Sequence, residues 1–280
     1  MKLKIVVAML FLVITLVAPL IISPVKTSWV PQADINLAIE KGLAYLNDTQ
    51  TRGGADDGAW EPDYFDGVPS TALALLCFEN NGHTPDNETS PYLDTVRRGF
   101  DYLLSTLVRQ DIGPQTYGNP DTNNNGYGIY AYSSWGEIGY YQGMVIMALV
   151  ASGNKSRVAT PLPSPGRTFI PEVDGHTYEE IVREIVDFSA WAQCDDGDGR
   201  GGWRYEPYDN STWGSSDNSV SPWYELGLHT AELWGINAPA FVKTELKDYW
   251  LDYSQNDVDR GFGYSDNWTS YIADTGGGII

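Results

Sequence analysis

The chain has 280 residues, 37 of them acidic and 17 basic, for a net charge of −20. Phosphate backbones repel such a surface and the sequence carries no basic stripe, so a nucleic-acid partner is excluded. Hydrophobic residues at 42% suffice for a folded core, which excludes a disordered tail, and their distribution excludes a polytopic membrane protein.

Lys2 and Lys4 precede an uncharged apolar run from Ile5 to Ile22. Residues 1–26 therefore read as a signal peptide or as a retained N-terminal membrane anchor, with the rest of the chain exported. The membrane is met through that segment alone. Sequons at Asn47, Asn87, Asn154, Asn210 and Asn267 agree with an extracellular glycoprotein. The two cysteines, Cys77 and Cys194, are far apart in sequence. Cys77 sits in the apolar run TALALLCF, which predicts a buried free thiol. A Cys77–Cys194 disulfide is the alternative in an oxidising compartment.

Past residue 30 the chain repeats. Amphipathic helical segments end near Gln50, Leu107, Gln193 and Gln255. In the first, Ile35, Ala38, Ile39, Leu43 and Leu46 form one stripe. The second uses Leu93, Val96, Phe100, Leu103 and Leu107, and the fourth Val242, Leu246, Tyr249 and Tyr253. Thr177 and Glu180 form a capping box that opens the third, before Ile181, Ile185 and Phe188. After each comes a long loop and a more apolar helix. Three of these end at Gly82, Gly153 and Gly235, where a C-cap is expected. Helices apolar nearly all round need burial on most sides, whereas amphipathic ones need cover on one. Alternating the two kinds predicts an all-α fold, an α/α toroid of inner and outer helices, with a plain solenoid as the alternative. The hairpins span about residues 33–83, 92–154, 177–237 and 240–280, with a Pro-rich link at about 155–175.

Gln50…Asp57-Gly58-Ala59-Trp60 and Gln193…Asp198…Gly201-Gly202-Trp203 close the outer helices. Together with Ser70-Thr71-Ala72 and Asp274-Thr275-Gly276, they resemble the repeat of squalene and hopene cyclases and of protein prenyltransferase β-subunits. The resemblance implies the toroid and leaves the chemistry open, because toroids host several activities. The cyclase D-x-D-D acid is not matched: Tyr271-Ile272-Ala273-Asp274 keeps only its last Asp. The zinc of prenyltransferases needs Asp, Cys and His, and only His229 offers itself, so zinc is not expected.

The four connecting loops hold 17 Asp or Glu against 5 Arg, and five of the ten tryptophans. On a toroid all four emerge at one end, which makes one mouth acidic and aromatic. Aromatic faces stack on sugar rings and carboxylates bind hydroxyls, so a glycan or polymer ligand is expected. Trp135, Trp213 and Trp268 are the ligand candidates. Trp60 and Trp203 read as residues that lock the repeats, their indole N–H groups tied to the next loop. A glycoside hydrolase or polysaccharide lyase is the rival reading, drawing acid and base from Asp57, Glu61, Glu137, Asp196, Glu206 and Asp217. An isoprenoid-processing enzyme is the third, and requires a deep apolar cavity between inner helices.

Three loops offer calcium-like spacing. Asp121, Asn123, Asn125 and Gly126 match the opening of an EF-hand loop, but Tyr132 stands where a closing Glu belongs. Asp196 with Asp198, and Asp257 with Asp259, are shorter echoes; such clusters also form ordinary turns. Only Thr275 to Ile280 remain for a fourth inner helix, and three of these are glycines. An incomplete toroid of about four hairpins is expected, its last ten residues poorly ordered. Its open flank would invite self-association or a missing C-terminal portion.

Overall fold

The computed structural model describes residues 30–136, 138–206 and 216–278. The signal or anchor segment, Glu137, the Asn210 sequon and Trp213 lie outside the described residues. Among the described residues, no helix is long and apolar enough to cross a membrane. The chain divides into two compact units, Met1–Gly42 and Leu43–Ile280.

The helices are α1 (Gln32–Thr49), α2 (Val68–Glu79), α3 (Leu93–Ser105), α4 (Tyr141–Ala151), α5 (Tyr178–Trp191), α6 (Ser221–Ala231), α7 (Ala240–Glu245) and α8 (Ile272–Gly277). A π turn, Leu246–Leu251, and a last turn, Asp252–Ser254, extend α7. In the first unit the described part of α1 is exposed throughout, Ile35 and Ile39 included. The expected stripe is therefore buried only in the second unit, at Leu43, with Leu46 half-buried.

In the second unit α2, α4 and α6 pack side by side; α3 lies against α2, and α5 against α4 and α6. Nine of the eleven residues of α4 are buried, as an apolar helix between neighbours demands. The α4–α6 crossing depends on two glycines. A Cβ on Gly143 would stand 1.7 Å from the Trp223 carbonyl, and one on Gly227 2.5 Å from the Gly143 Cα. The amphipathic stripes of α3 and α5 are buried at Val96, Phe100, Leu103, Ile181, Ile185 and Phe188. The Thr177–Glu180 capping box opens α5 as predicted.

The fold is mostly helical, consistent with the all-α expectation, and carries in addition one small sheet: β1 (Leu107–Asp111) and β2 (Tyr127–Ala131) form an antiparallel pair, with Leu107 opposite Ala131. The strands escape a sequence reading because residues 112–126 separate them, far beyond a tight hairpin turn. They find their support in α5, where Tyr130 stacks on Phe188 at 4.7 Å. One expectation needs correction: both cysteines are free, but Cys77 is exposed, as is Leu73 one turn before it, on the side of α2 that borders a cavity shared with Tyr45 and Thr49. Residues 271–278 are tied to the loop before them. The Tyr271 N–H donates to the Phe262 carbonyl at 3.0 Å, and the Phe262 N–H to Thr275 Oγ1 at 2.9 Å.

That last bond belongs to a set. A residue in the segment leading to each of α2, α4, α6 and α8 is tied to a polar side chain in that helix's first turns. The Trp60 N–H donates to Thr71 Oγ1 at 3.1 Å, the Ala131 N–H to Gln142 Oε1 at 2.9 Å and the Trp203 N–H to Ser221 Oγ at 3.0 Å. A short hydroxyl or amide at the start of a helix satisfies backbone that loop and helix would otherwise leave unpaired.

Candidate functional site

The first and third loops share a device that sets where their side chains can go. Gln50 Nε2 donates to the Gly58 and Thr95 carbonyls, and Gln193 Nε2 to those of Gly201 and Val242, all at 2.8–2.9 Å. The indoles are buried and tie their loops in place, but their N–H groups return to the helix before the loop, α1 or α5, and not to the next loop. Trp60 donates to the Leu46 carbonyl at 2.8 Å and Trp203 to that of Ser189 at 2.9 Å. Gly58 and Gly201 both have left-handed φ, and a Cβ on either would lie 2.1 Å from a carbonyl of the following outer helix, that of Arg98 or Glu245.

An ion pair completes each lock. Asp57, buried, meets Arg98 at 2.7 Å, and Arg200 meets the buried Glu245 at 2.6 Å. Burial alone would raise the Asp57 carboxyl, yet the Gly53 N–H, Arg98 and Arg167 together hold it below its ordinary range. Asp57 is therefore part of the scaffold.

The two loops differ in what lines the space beside them: at the first, a cavity of about 330 Å³ is bounded by Trp60, Glu61 and the apolar side of α2. At the third, the Arg200 guanidinium lies over the Tyr117 ring at 3.9 Å and over Tyr249 at 3.3 Å. Beside it is a cavity of about 360 Å³ lined by Tyr117, Asp196, Gly197, Asp198, Arg200, Tyr249 and Tyr253. Asp196 and Asp198 are exposed at its rim, so these two candidates do meet aromatic rings. The rings are tyrosines, which an interest in tryptophan overlooks. Tyr249 belongs to the π turn of α7, whose wider coil carries Trp250 inward, buried and donating to Asn218 Oδ1 at 2.8 Å.

A second polar group gathers at the starts of the inner helices. Asp217 is buried, pairs with Arg204 at 2.9 Å and caps the turn into α6 by accepting from the Ser219 and Val220 N–H groups, each at 2.9 Å. Tyr264 donates to Asp217 Oδ2 at 3.4 Å and shares a short hydrogen bond with Tyr205, which stacks on Tyr140. Asp274, at the start of α8, is raised by burial and by the Asp217 carboxylate. Its position beside Asp217 is not evident from sequence; the only signal is the Asp-Thr-Gly at an inner-helix start.

The remaining candidates separate. Glu61 and Glu206 are exposed, and Glu61 accepts from Ser70 Oγ at 3.0 Å. Trp135 and Trp268 are exposed at 58% and 85%, available for stacking and away from the core. Asp259 accepts from the Gly261 N–H and from Ser270 Oγ, and Asp257 faces Arg260, which makes that loop a turn. Asp121 accepts from the Asn125 and Gly126 N–H groups at 3.2 and 2.8 Å, while Asn123 and Asn125 turn their amides to Glu184 of α5. Among the described residues no three His, Cys, Asp or Glu side chains converge as a ready metal cluster. His229 is exposed and faces Glu232. No family model, curated protein or solved structure matches this chain.

Proposed function

We propose that this chain is an α/α toroid built from helical hairpins, exported or held at the cell surface, that binds a glycan at its third loop. The carrying observation is the cavity of about 360 Å³ with Tyr117, Tyr249 and Tyr253 for rings and Asp196 and Asp198 for hydroxyl acceptors. Tyrosine faces pack against the C–H faces of a sugar, and exposed carboxylates accept from its hydroxyls. Arg200 is held by Glu245 and the two rings, so its charge supports the wall. Trp135 and Trp268 offer further stacking surfaces for a longer polymer. The test is an oligosaccharide array with the wild type, Asp198→Asn and Tyr253→Ala. Binding in the wild type that falls at least about tenfold in both variants supports the reading; no bound glycan refutes it.

A glycoside hydrolase or lyase is the second reading, favoured by Asp217 and Asp274. Arg204 holds Asp217, while burial and the Asp217 carboxylate shift Asp274 upward, a division of roles that acid–base chemistry uses. Reducing-sugar release lost in both Asp274→Asn and Asp217→Asn would establish it. An isoprenoid enzyme is the least supported reading, since α4 and α6 touch backbone to backbone at Gly143 and Gly227.

A further inference from the structure

Three buried carboxylates that do not converge as a ready cluster are linked through Thr122, Asn123 and Asn125 where the loop 121–126 lies on α5. Asp121, Glu184 and Asp187 are 8%, 5% and 0% exposed. Among the described residues none of them has an ion-pair partner. Buried charges of one sign are unfavourable without a counter-charge. Helix α5 places Glu184 and Asp187 three residues apart, hence on one face toward the loop.

The groups around them are all oxygen-bearing. Thr122 donates its N–H and its hydroxyl to Asp187, at 3.0 and 2.9 Å. The amides of Asn123 and Asn125 converge on Glu184 Oε1 at 2.7 and 2.9 Å, so two partial positive charges sit where a cation would neutralise that carboxylate. The other oxygen of the same carboxylate, Glu184 Oε2, is buried and has no hydrogen-bond partner. A buried carboxylate oxygen with nothing to accept from is the feature that turns would not produce.

We propose that this loop and α5 form a calcium site, with Asp121, Asn123, Asn125, Glu184 and Asp187 as its oxygen ligands. Glu184 closes the shell that Tyr132 cannot, reaching the loop from a helix about sixty residues on in sequence. Turning the two amides through half a revolution presents Oδ1 in place of Nδ2 and completes an oxygen set, at the loss of the bonds those oxygens accept from the Asn125 and Tyr127 N–H groups. Such a set, without nitrogen or sulfur, suits a hard cation, and five protein ligands suit calcium better than the mostly hydrated magnesium ion.

The test is calorimetric titration of chelator-treated full chain with calcium chloride, with the melting temperature followed in parallel. Saturable heat should appear, with a melting temperature that rises with calcium and returns on adding chelator. Glu184→Gln and Asp187→Asn, nearly isosteric with the natural side chains, should each weaken binding at least about tenfold. Asp259→Asn, in the loop that forms a turn, should leave it unchanged. Absence of heat and of any melting shift in the wild type overturns the proposal. So does a calcium response that survives in both α5 variants.

Discussion

The first and third repeats hold their loops with one geometry and opposite charges. Asp57 reaches from the loop to Arg98 of α3; Arg200 reaches from the loop to Glu245 of α7. The glutamines, the indoles and the left-handed glycines occupy matching places. The lock therefore needs a neutral pair joining loop to following helix and is indifferent to which side carries the cation. The sign matters for what is left over. In the first repeat Arg167 covers the carboxylate side, donating to the Ala55 and Asp57 carbonyls and pairing with Asp101 at 2.8 Å. In the third, the outward cation recruits Tyr117 and Tyr249, and a cavity remains beside them.

The largest effect expected on this comparison comes from the indoles. Trp60→Ala and Trp203→Ala should each cost about 3–5 kcal/mol in denaturant unfolding, by cavity and lost hydrogen bond. Trp268→Ala, exposed, should cost less than about 0.5 kcal/mol. Similar losses for all three would make every tryptophan structural and remove Trp268 as a stacking platform.

The locks come next. Asp57→Ala leaves Arg98 with only Asp94 and should cost about 2 kcal/mol. Combining Asp57→Arg with Arg98→Glu, which copies the third repeat into the first, should recover most of that loss. If the double exchange is as unstable as the sum of its single changes, the two locks are not equivalent.

A smaller contrast lies at the ends of α2 and α6, where Glu79 and Glu232 stand at matching places, three residues before Gly82 and Gly235. Glu79 is buried and pushed up to about 9 by burial. Glu232 is held below its ordinary range by Lys243 and, with less effect, His229. Their signs are opposite. A raised carboxyl leaves stability intact below about pH 4.5 and erodes it as pH climbs toward 9. A lowered one contributes above the unfolded value and is lost as pH falls. Glu79→Gln should thus gain on the wild type progressively from pH 5 to 9, and Glu232→Gln should lose least at acid pH. Parallel unfolding curves at every pH would show that neither shift is coupled to folding.

Much of the scaffold was legible in the chain because its signals are local. The capping box at Thr177, the apolar stripes of α3 and α5 and the terminal glycines each depend on neighbours a few residues away. The lock could be half read: Gln-Asp-Gly-Trp repeats visibly, but its partners Arg98 and Glu245 lie some forty residues on, with exchanged sign. The candidate sites were the least legible. Tyr117, Tyr249 and Tyr253 come from two loop-and-helix segments far apart in sequence, and α5 carries Glu184 as one of several acidic residues. Exposed tryptophans stand out in a composition, whereas a pocket made of tyrosines does not.

The measurement closest to the central claim sets the two locks against each other as binding surfaces. Asp198→Asn and Tyr253→Ala in the third loop, with Arg52→Ala as the control in the first, would be titrated with whichever glycan the wild type retains. The account predicts that the two third-loop changes abolish or strongly weaken binding at unchanged melting temperature, while Arg52→Ala binds as the wild type does. Equal affinity in all four proteins would contradict it, and the cavity beside Arg200 would then be a by-product of the lock.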